Sequence, residues 1–148
     1  MDIQALLLAK YAEQAGDGLM TIVGGGIANL KFASFPHVFR NLAIVAKMLL
    51  DVSEALEAHE FKVRILGPDG KIVVEPPDAF QTPVVDLPPP LEYLNIGLAL
   101  TMTNVTFPVE GRYWVEMEFD GNVVRKTPLL VYTVEQAAAL DAAMEKLK

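Results

Sequence analysis

The chain of 148 residues contains no cysteine, which removes disulfides, a thiolate nucleophile and any thiolate-held metal together. Its histidines are His37 and His59 alone, too few for a histidine-rich metal site within one chain. Basic residues are scarce as well: 12 Lys and Arg stand against 19 Asp and Glu, for a net charge of −7. Neutralising phosphates needs clustered cations, so this balance argues against nucleic acid as a partner. No apolar run approaches the ~18 residues of a membrane span. The opening Met1-Asp2-Ile3 also lacks the basic lead of a secretory signal. The expectation is a cytoplasmic protein with no membrane partner and no cofactor.

What is present is a folding composition. Hydrophobic residues make up 52% and charged residues 21%, enough to build one core without staples. Leu19 to Phe32 reads as two extended apolar runs broken by Gly24, Gly25 and Gly26. Glycine accepts φ > 0 and close backbone approach, so the triplet is expected to form a bulge or bend that carries the chain between two sheets. A phosphate cradle would need Gly-Lys-Ser/Thr opening a helix, or the Rossmann glycine spacing. Ile27-Ala28-Asn29-Leu30 follows instead, so the glycines are read as structural.

Along the chain, Ile3 to Gln14 has helix-favouring composition, yet Gly16-Asp17-Gly18 and the β-branched run after it form a hairpin signal, and a strand is expected. Ser34 to His37 reads as a loop. Leu42 to Leu50 is apolar at both parities, the mark of a covered central strand or an interface strand. Asp51 to Ala58 reads as a short helical turn or an acidic loop. Phe61, Val63 and Ile65 alternate with charged residues as a half-buried strand, and Pro68-Asp69-Gly70 turns the chain into Lys71–Val74. Pro76 to Pro90 is proline-rich without a basic residue suited to an SH3 or WW ligand, and reads as a connection. Leu94, Ile96, Leu98, Leu100 and Met102 alternate with small and polar residues in the clearest strand of the chain. Asp120-Gly121 makes a two-residue hairpin that pairs Met117 with Val124 and Glu116 with Arg125. That register leaves Lys126 opposite apolar Val115, which a bulge or the strand's end would relieve. Short strands without βαβ alternation predict an all-β domain over residues 1–132, an antiparallel β-sandwich of immunoglobulin-like or C2-like form. A C-terminal amphipathic helix follows over 133–148, with Thr133 and Gln136 as a capping box, Glu135 in the first turn, and Lys146 and Lys148 in the last.

Gly111-Arg112-Tyr113, after Val105-Thr106-Phe107-Pro108, resembles the late strand of immunoglobulin-like sandwiches, where a tyrosine corner ties loop to strand. More specifically, the chain resembles a family of small bacterial proteins recorded as a domain of unknown function. The matching stretches are Ala5 to Ala9 with Tyr11-Ala12-Glu13, Gly18 to Gly26, Leu66 to Gly70, Asn104 to Tyr113, and Asp120-Gly121. Together they cover about residues 4 to 132. The family pattern carries an acidic residue where Lys10 stands, so no charge role transfers to that position. The resemblance implies a β-sandwich with a strand from Ile3 onward, and it implies no activity.

No catalytic constellation stands out. Ser34 and Ser53 lack a nucleophile-elbow setting, neither histidine has a dictated partner, and nothing selects a carboxylate pair. The protein is expected not to be an enzyme. The first reading of its function is a non-catalytic interaction or assembly module, a homo-oligomer or a binder of a protein partner. Alternation places Trp114 on an outer face beside Glu116 and Glu118. If the strands share a sheet, Val45, Leu49 and Ala99 extend that face into an apolar patch. Ala137, Leu140, Met144 and Leu147 form a helical stripe that needs a sheet face to cover it, its own or a second copy's, near Trp114. The expected interface is therefore Trp114, Val45, Leu49, Ala99, Leu140, Met144 and Leu147. The alternative is a sandwich binding Ca²⁺ or a small ligand through Asp17, Asp51, Glu54, Asp78, Asp86 and Asp120 at one end, although no repeated Asp spacing supports it.

Overall fold

The computed structural model describes residues 1–147 and is mostly strand, with a helix at its C-terminal end. Lys148, assigned to the last helical turn from sequence, lies outside the described residues. In chain order the elements are β1 (Asp2–Ala9), β2 (Tyr11–Gln14), β3 (Met20–Val23), β4 (Asn29–Phe32) and β5 (His37–Asp51). Next come α1 (Val52–Ala55), β6 (Glu60–Leu66), β7 (Ile72–Val74) and β8 (Phe80–Gln81). The chain closes with β9 (Tyr93–Phe107), β10 (Gly111–Phe119), β11 (Asn122–Thr133) and α2 (Val134–Glu145).

The run that is apolar at both parities becomes the middle of a three-stranded antiparallel sheet, ordered β1-β5-β9. One face of β5 presents Leu42, Ile44, Ala46, Met48 and Leu50 to the main core. There they meet Val63 and Ile65 of β6, Tyr113, Val115 and Met117 of β10, and Leu129 and Val131 of β11. The opposite face carries Ala43 and Val45, which pack with Ala9, Ala12, Met20 and Ala99. Ala12 and Met20 belong to the β2–β3 hairpin, so the chain covers that second face with its own folded-over segment. The strand also starts earlier than expected. His37 is its first residue, and its ring stacks on Phe32, centroids 3.9 Å apart, while Phe39 and Phe107 close around the Phe32 ring.

The second sheet has six strands, ordered β4-β11-β10-β6-β7 with β8 also beside β6. It is mixed where a purely antiparallel arrangement was expected, because β4 runs parallel to β11 from Asn29↔Leu130 to Phe32↔Thr133. The β10–β11 hairpin turns at Asp120 (φ 47°) and Gly121 (φ 83°), both positive as a type I′ turn requires. Its register differs from the simple count in one respect. Phe119 pairs with Asn122 and Glu118 with Val123, but Val124 is then passed over, so Met117 faces Arg125 and Glu116 faces Lys126. The extra residue removes Lys126 from Val115 and sets its Nζ 3.3 Å from the Glu116 carboxylate. At the start of β10, buried Tyr113 turns its hydroxyl back to Val109, donating to the carbonyl and accepting the N–H at 3.3 Å.

Two capping boxes begin the helices: Asp51 with Glu54 for α1, and Thr133 with Gln136 for α2. Helix α2 rests on β11 and β4 through its first turn, where Ala137 is buried, and Leu140 and Met144 stay exposed. Among the described residues, no helix is long and apolar enough to cross a membrane.

The expected single strand from Ile3 to Gln14 is two strands, broken at Lys10. The Lys10 N–H leaves the ladder for the carbonyls of Val23 and Gly24, at 3.1 and 3.3 Å. The amides of Gly26 and Ile27 reach in turn to the Leu8 carbonyl, at 2.9 and 3.0 Å. Gly24 and Gly26 have φ of 62° and 85°, and the bend carries the chain from the two-stranded β2–β3 sheet to β4 in the six-stranded one. At Gly26 nothing crowds a Cβ, so a side chain there meets backbone strain alone. Gly26→Val is expected to cost more than about 1 kcal/mol in urea unfolding. An unchanged midpoint would mean that the bend tolerates a negative φ.

Candidate functional site

The residues expected to form one contact surface lie in three places. Trp114 belongs to the six-stranded sheet, Val45, Leu49 and Ala99 to the three-stranded sheet, and Leu140, Met144 and Leu147 to the C-terminal end. The strands do not share a sheet, so the flat apolar patch that sharing would create is not formed. Val45 is 1% exposed beneath the β2–β3 hairpin, with Ala99 packed beside it, while Leu49 is half-buried near the strand's end. On the other sheet, Trp114 lies between two cations, Arg112 at 5.8 Å and Lys126 at 5.4 Å from the ring. The rest of that face is an ion-pair ladder running across the strands. Arg64 on β6 reaches Glu116 at 3.2 Å and Glu118 at 2.6 Å on β10, and Lys126 on β11 completes it. Leu140 borders a shallow hollow of about 340 Å³ with Gln136, Leu130 and Tyr132, and Leu147 is 83% exposed.

Of the acidic loop residues, Asp17, Asp51, Glu54 and Asp120 are engaged locally. The Asp17 carboxylate accepts the Leu19 N–H in the β2–β3 turn, and Asp51 caps α1. Asp120 holds His59. Its Oδ2 lies 2.6 Å from His59 Nδ1, its Oδ1 accepts the Glu60 N–H at 2.9 Å, and its own N–H donates to Glu60 O. His59 Nε2 lies 2.8 Å from the carbonyl oxygen of Glu54. A carboxylate and a carbonyl both accept only, so the two contacts are hydrogen bonds together only in the imidazolium form of the ring. Phe119 stacks on it, centroids 5.0 Å apart. His59 therefore fastens the end of α1 to the β10–β11 turn. Among the described residues, no three His, Asp or Glu side chains come together as a metal ion would need.

The feature that sequence reasoning missed is the free side of β9. Cross-strand partners on the core face are Leu42↔Met102, Ile44↔Leu100, Ala46↔Leu98, Met48↔Ile96 and Leu50↔Leu94. The β5 members are at most 1% exposed, whereas Leu94, Ile96, Leu98 and Leu100 are only half-buried. Strand β9 is the end strand of its sheet and spans 15 residues without one charged side chain. Natural edge strands are commonly blunted by charge, proline, shortness or a covering segment. The other edges here follow that rule. Edge strands β4 and β7 have 4 and 3 residues. The outer side of β1 is bound by the glycine bend at Leu8, and by Arg125 Nη2 on the Ile3 carbonyl at 2.9 Å. At the C-terminal end of β9 lies an open, mainly apolar hollow of about 590 Å³, with Pro68, Ile72 and Val73 on one side and Thr106, Pro108 and Val109 on the other. The signal in the sequence was the length of the uncharged stretch. Alternation reports a strand's faces and says nothing about which strands flank it.

The clamp gives a pH dependence. The Asp120 carboxylate, and then the Glu54 carbonyl, raise the His59 pKa above its ordinary value of about 6.5 against the opposing effect of burial. The Glu60 N–H and then His59 lower that of Asp120 below about 3.9. A raised histidine contributes fully below about 6.5, and the contribution fades as pH climbs through the folded value. The lowered aspartate contributes above about 3.9 and fades as pH falls through its folded value. The pair is therefore at full strength between roughly pH 4 and 6.5. Melting curves of the native chain and Asp120→Asn should differ most in that window and converge towards pH 9. A constant difference from pH 5 to 9 would exclude the charged pair.

A search of curated proteins returns no match for the chain. A family profile described as a family of unknown function matches residues 4–132, which takes in every strand but the outermost residues of β1 and β11. The chain belongs to that family, DUF6941.

Proposed function

We propose that the protein is a non-catalytic assembly module that associates with itself through the open side of its three-stranded sheet. One observation carries this reading: Leu94, Ile96, Leu98 and Leu100 on the core face of β9 are only partly buried while their partners on β5 are sealed. Apolar surface left at the rim of a core is worth about 25 cal/mol per Å² once removed from water. A second chain is the nearest source of matching surface. The commitment of both His59 nitrogens to fixed acceptors supports a structural role for that residue over a catalytic one. The finer fold assignment, an immunoglobulin-like sandwich, draws support from the Tyr113–Val109 contact, which has the form of a tyrosine corner.

Light scattering coupled to size exclusion tests the proposal. The full chain should show about twice its 16.2 kDa mass and move towards the single mass on dilution. A mass of 16.2 kDa at every concentration up to about 1 mM would overturn it, since an association weaker than that is worth under about 4 kcal/mol.

A further inference from the structure

We infer that two copies pair β9 against β9, antiparallel, about a two-fold axis at Leu98, merging their three-stranded sheets into one continuous sheet. This inference rests on the self-association proposed above and specifies its geometry. Residues directly opposite one another in an antiparallel pair lie on the same face of the sheet. Up to Thr103 the core-facing residues of β9 are Leu94, Ile96, Leu98, Leu100 and Met102, all even-numbered, and beyond Asn104 the facing switches to Val105 and Phe107. A merged sheet keeps its apolar side continuous only if even residues face even ones, so the axis passes through a residue and not between two. That row is centred on Leu98.

One further observation selects the same centre. The ladder between β5 and β9 is unbroken from Tyr93 to Thr103, then skips Asn104, which has φ of 53°. The regular segment Tyr93–Thr103 is therefore also centred on Leu98. About this axis Leu94 faces Met102 of the second copy, Ile96 faces Leu100, and Leu98 faces its own counterpart. Each half-buried side chain gains an apolar neighbour. On the other face Gly97 meets Ala99, small against small, where Gln14 and Met20 of the β2–β3 hairpin press close to the backbone of Gly97. Asn95 meets Thr101, and both are exposed.

The match of like residue types about Leu98, apolar to apolar, small to small and polar to polar, points to a second copy over a foreign strand, and charge does not oppose it. Each chain carries −7, so two copies repel wherever acidic surfaces meet. Along Tyr93–Phe107 there is no charge to oppose its like in any register. The contact is isologous, so it closes on itself at two chains.

Charge placed at Asn95 and Thr101 tests the register. In Asn95→Lys/Thr101→Lys every new lysine faces another across the axis, and this happens twice per dimer. The dissociation constant should rise about tenfold or more, since like charges directly opposite destabilise a strand pair. In Asn95→Asp/Thr101→Lys the same positions face opposite charges, and the dimer should persist as in the native chain. Hydrogen exchange of the native chain supplies a readout free of substitution: β9 amides should slow as concentration drives dimerisation. A native dimer that tolerates the double lysine variant, is lost in both double variants, or leaves β9 exchange unchanged overturns the Leu98 pairing while self-association stands. A native chain that stays monomeric overturns both, and binding of an extended foreign peptide by that monomer would identify the edge's true occupant.

Discussion

A strand with large apolar side chains on both faces has no side to give to water. Strand β5 is such a strand, and the arrangement of its neighbours follows from that constraint. Its even-numbered face requires an opposing sheet, supplied by β6, β10 and β11. Its odd-numbered face requires a lid, and the β2–β3 hairpin folds back to provide it with Ala12 and Met20. Burying one Val or Leu is worth roughly 1.5–3 kcal/mol, so a row of them outweighs the local helix preference of the Ala- and Leu-rich N-terminal segment. The glycine bend exists for the same reason. The segment that covers one face of the first sheet must then cross to the edge of the second.

The two sheets treat their outer faces differently. The first covers its outer face with apolar residues from its own chain. The second leaves it wet and orders it by charge, Arg64 between Glu116 and Glu118 with Lys126 behind. Glu116 is 5% exposed, accepts from Arg64 and is ion-paired with Lys126, which offsets the cost of removing it from water. The bulge at Val124 makes this possible, since without it the lysine would face a valine.

Local order was legible from the sequence wherever neighbours along the chain decide it. The alternation of β6, β9 and β10, the Thr133–Gln136 cap and the Asp120-Gly121 turn all depend on residues a few positions apart. Sheet membership does not. Trp114 and Val45 each sit on a readable strand, but β10 pairs with β6 and β11, and only long-range packing decides that β5 lies in a different sheet. The break at Lys10 and the parallel docking of β4 depend on where the glycine bend lands, again a non-local matter. The open side of β9 was hidden for the same reason, although its lack of charge was in plain view. The helix was legible from its cap, but the apolar stripe expected along it is not covered: Ala137 is buried, while Leu140 and Met144 stay exposed.

The bonds from Gly26 and Ile27 to the Leu8 carbonyl have a consequence for polymer growth. A sheet with two bare edges is a monomer unit for an endless ribbon, because each addition exposes a fresh site. In the three-stranded sheet the glycine segment blocks the β1 side, and among the described residues its open edge is β9. Addition there consumes the growing end of both molecules at once. Under the proposed β9 pairing, the same triplet that lets the chain turn a corner sets an upper limit on the degree of polymerisation.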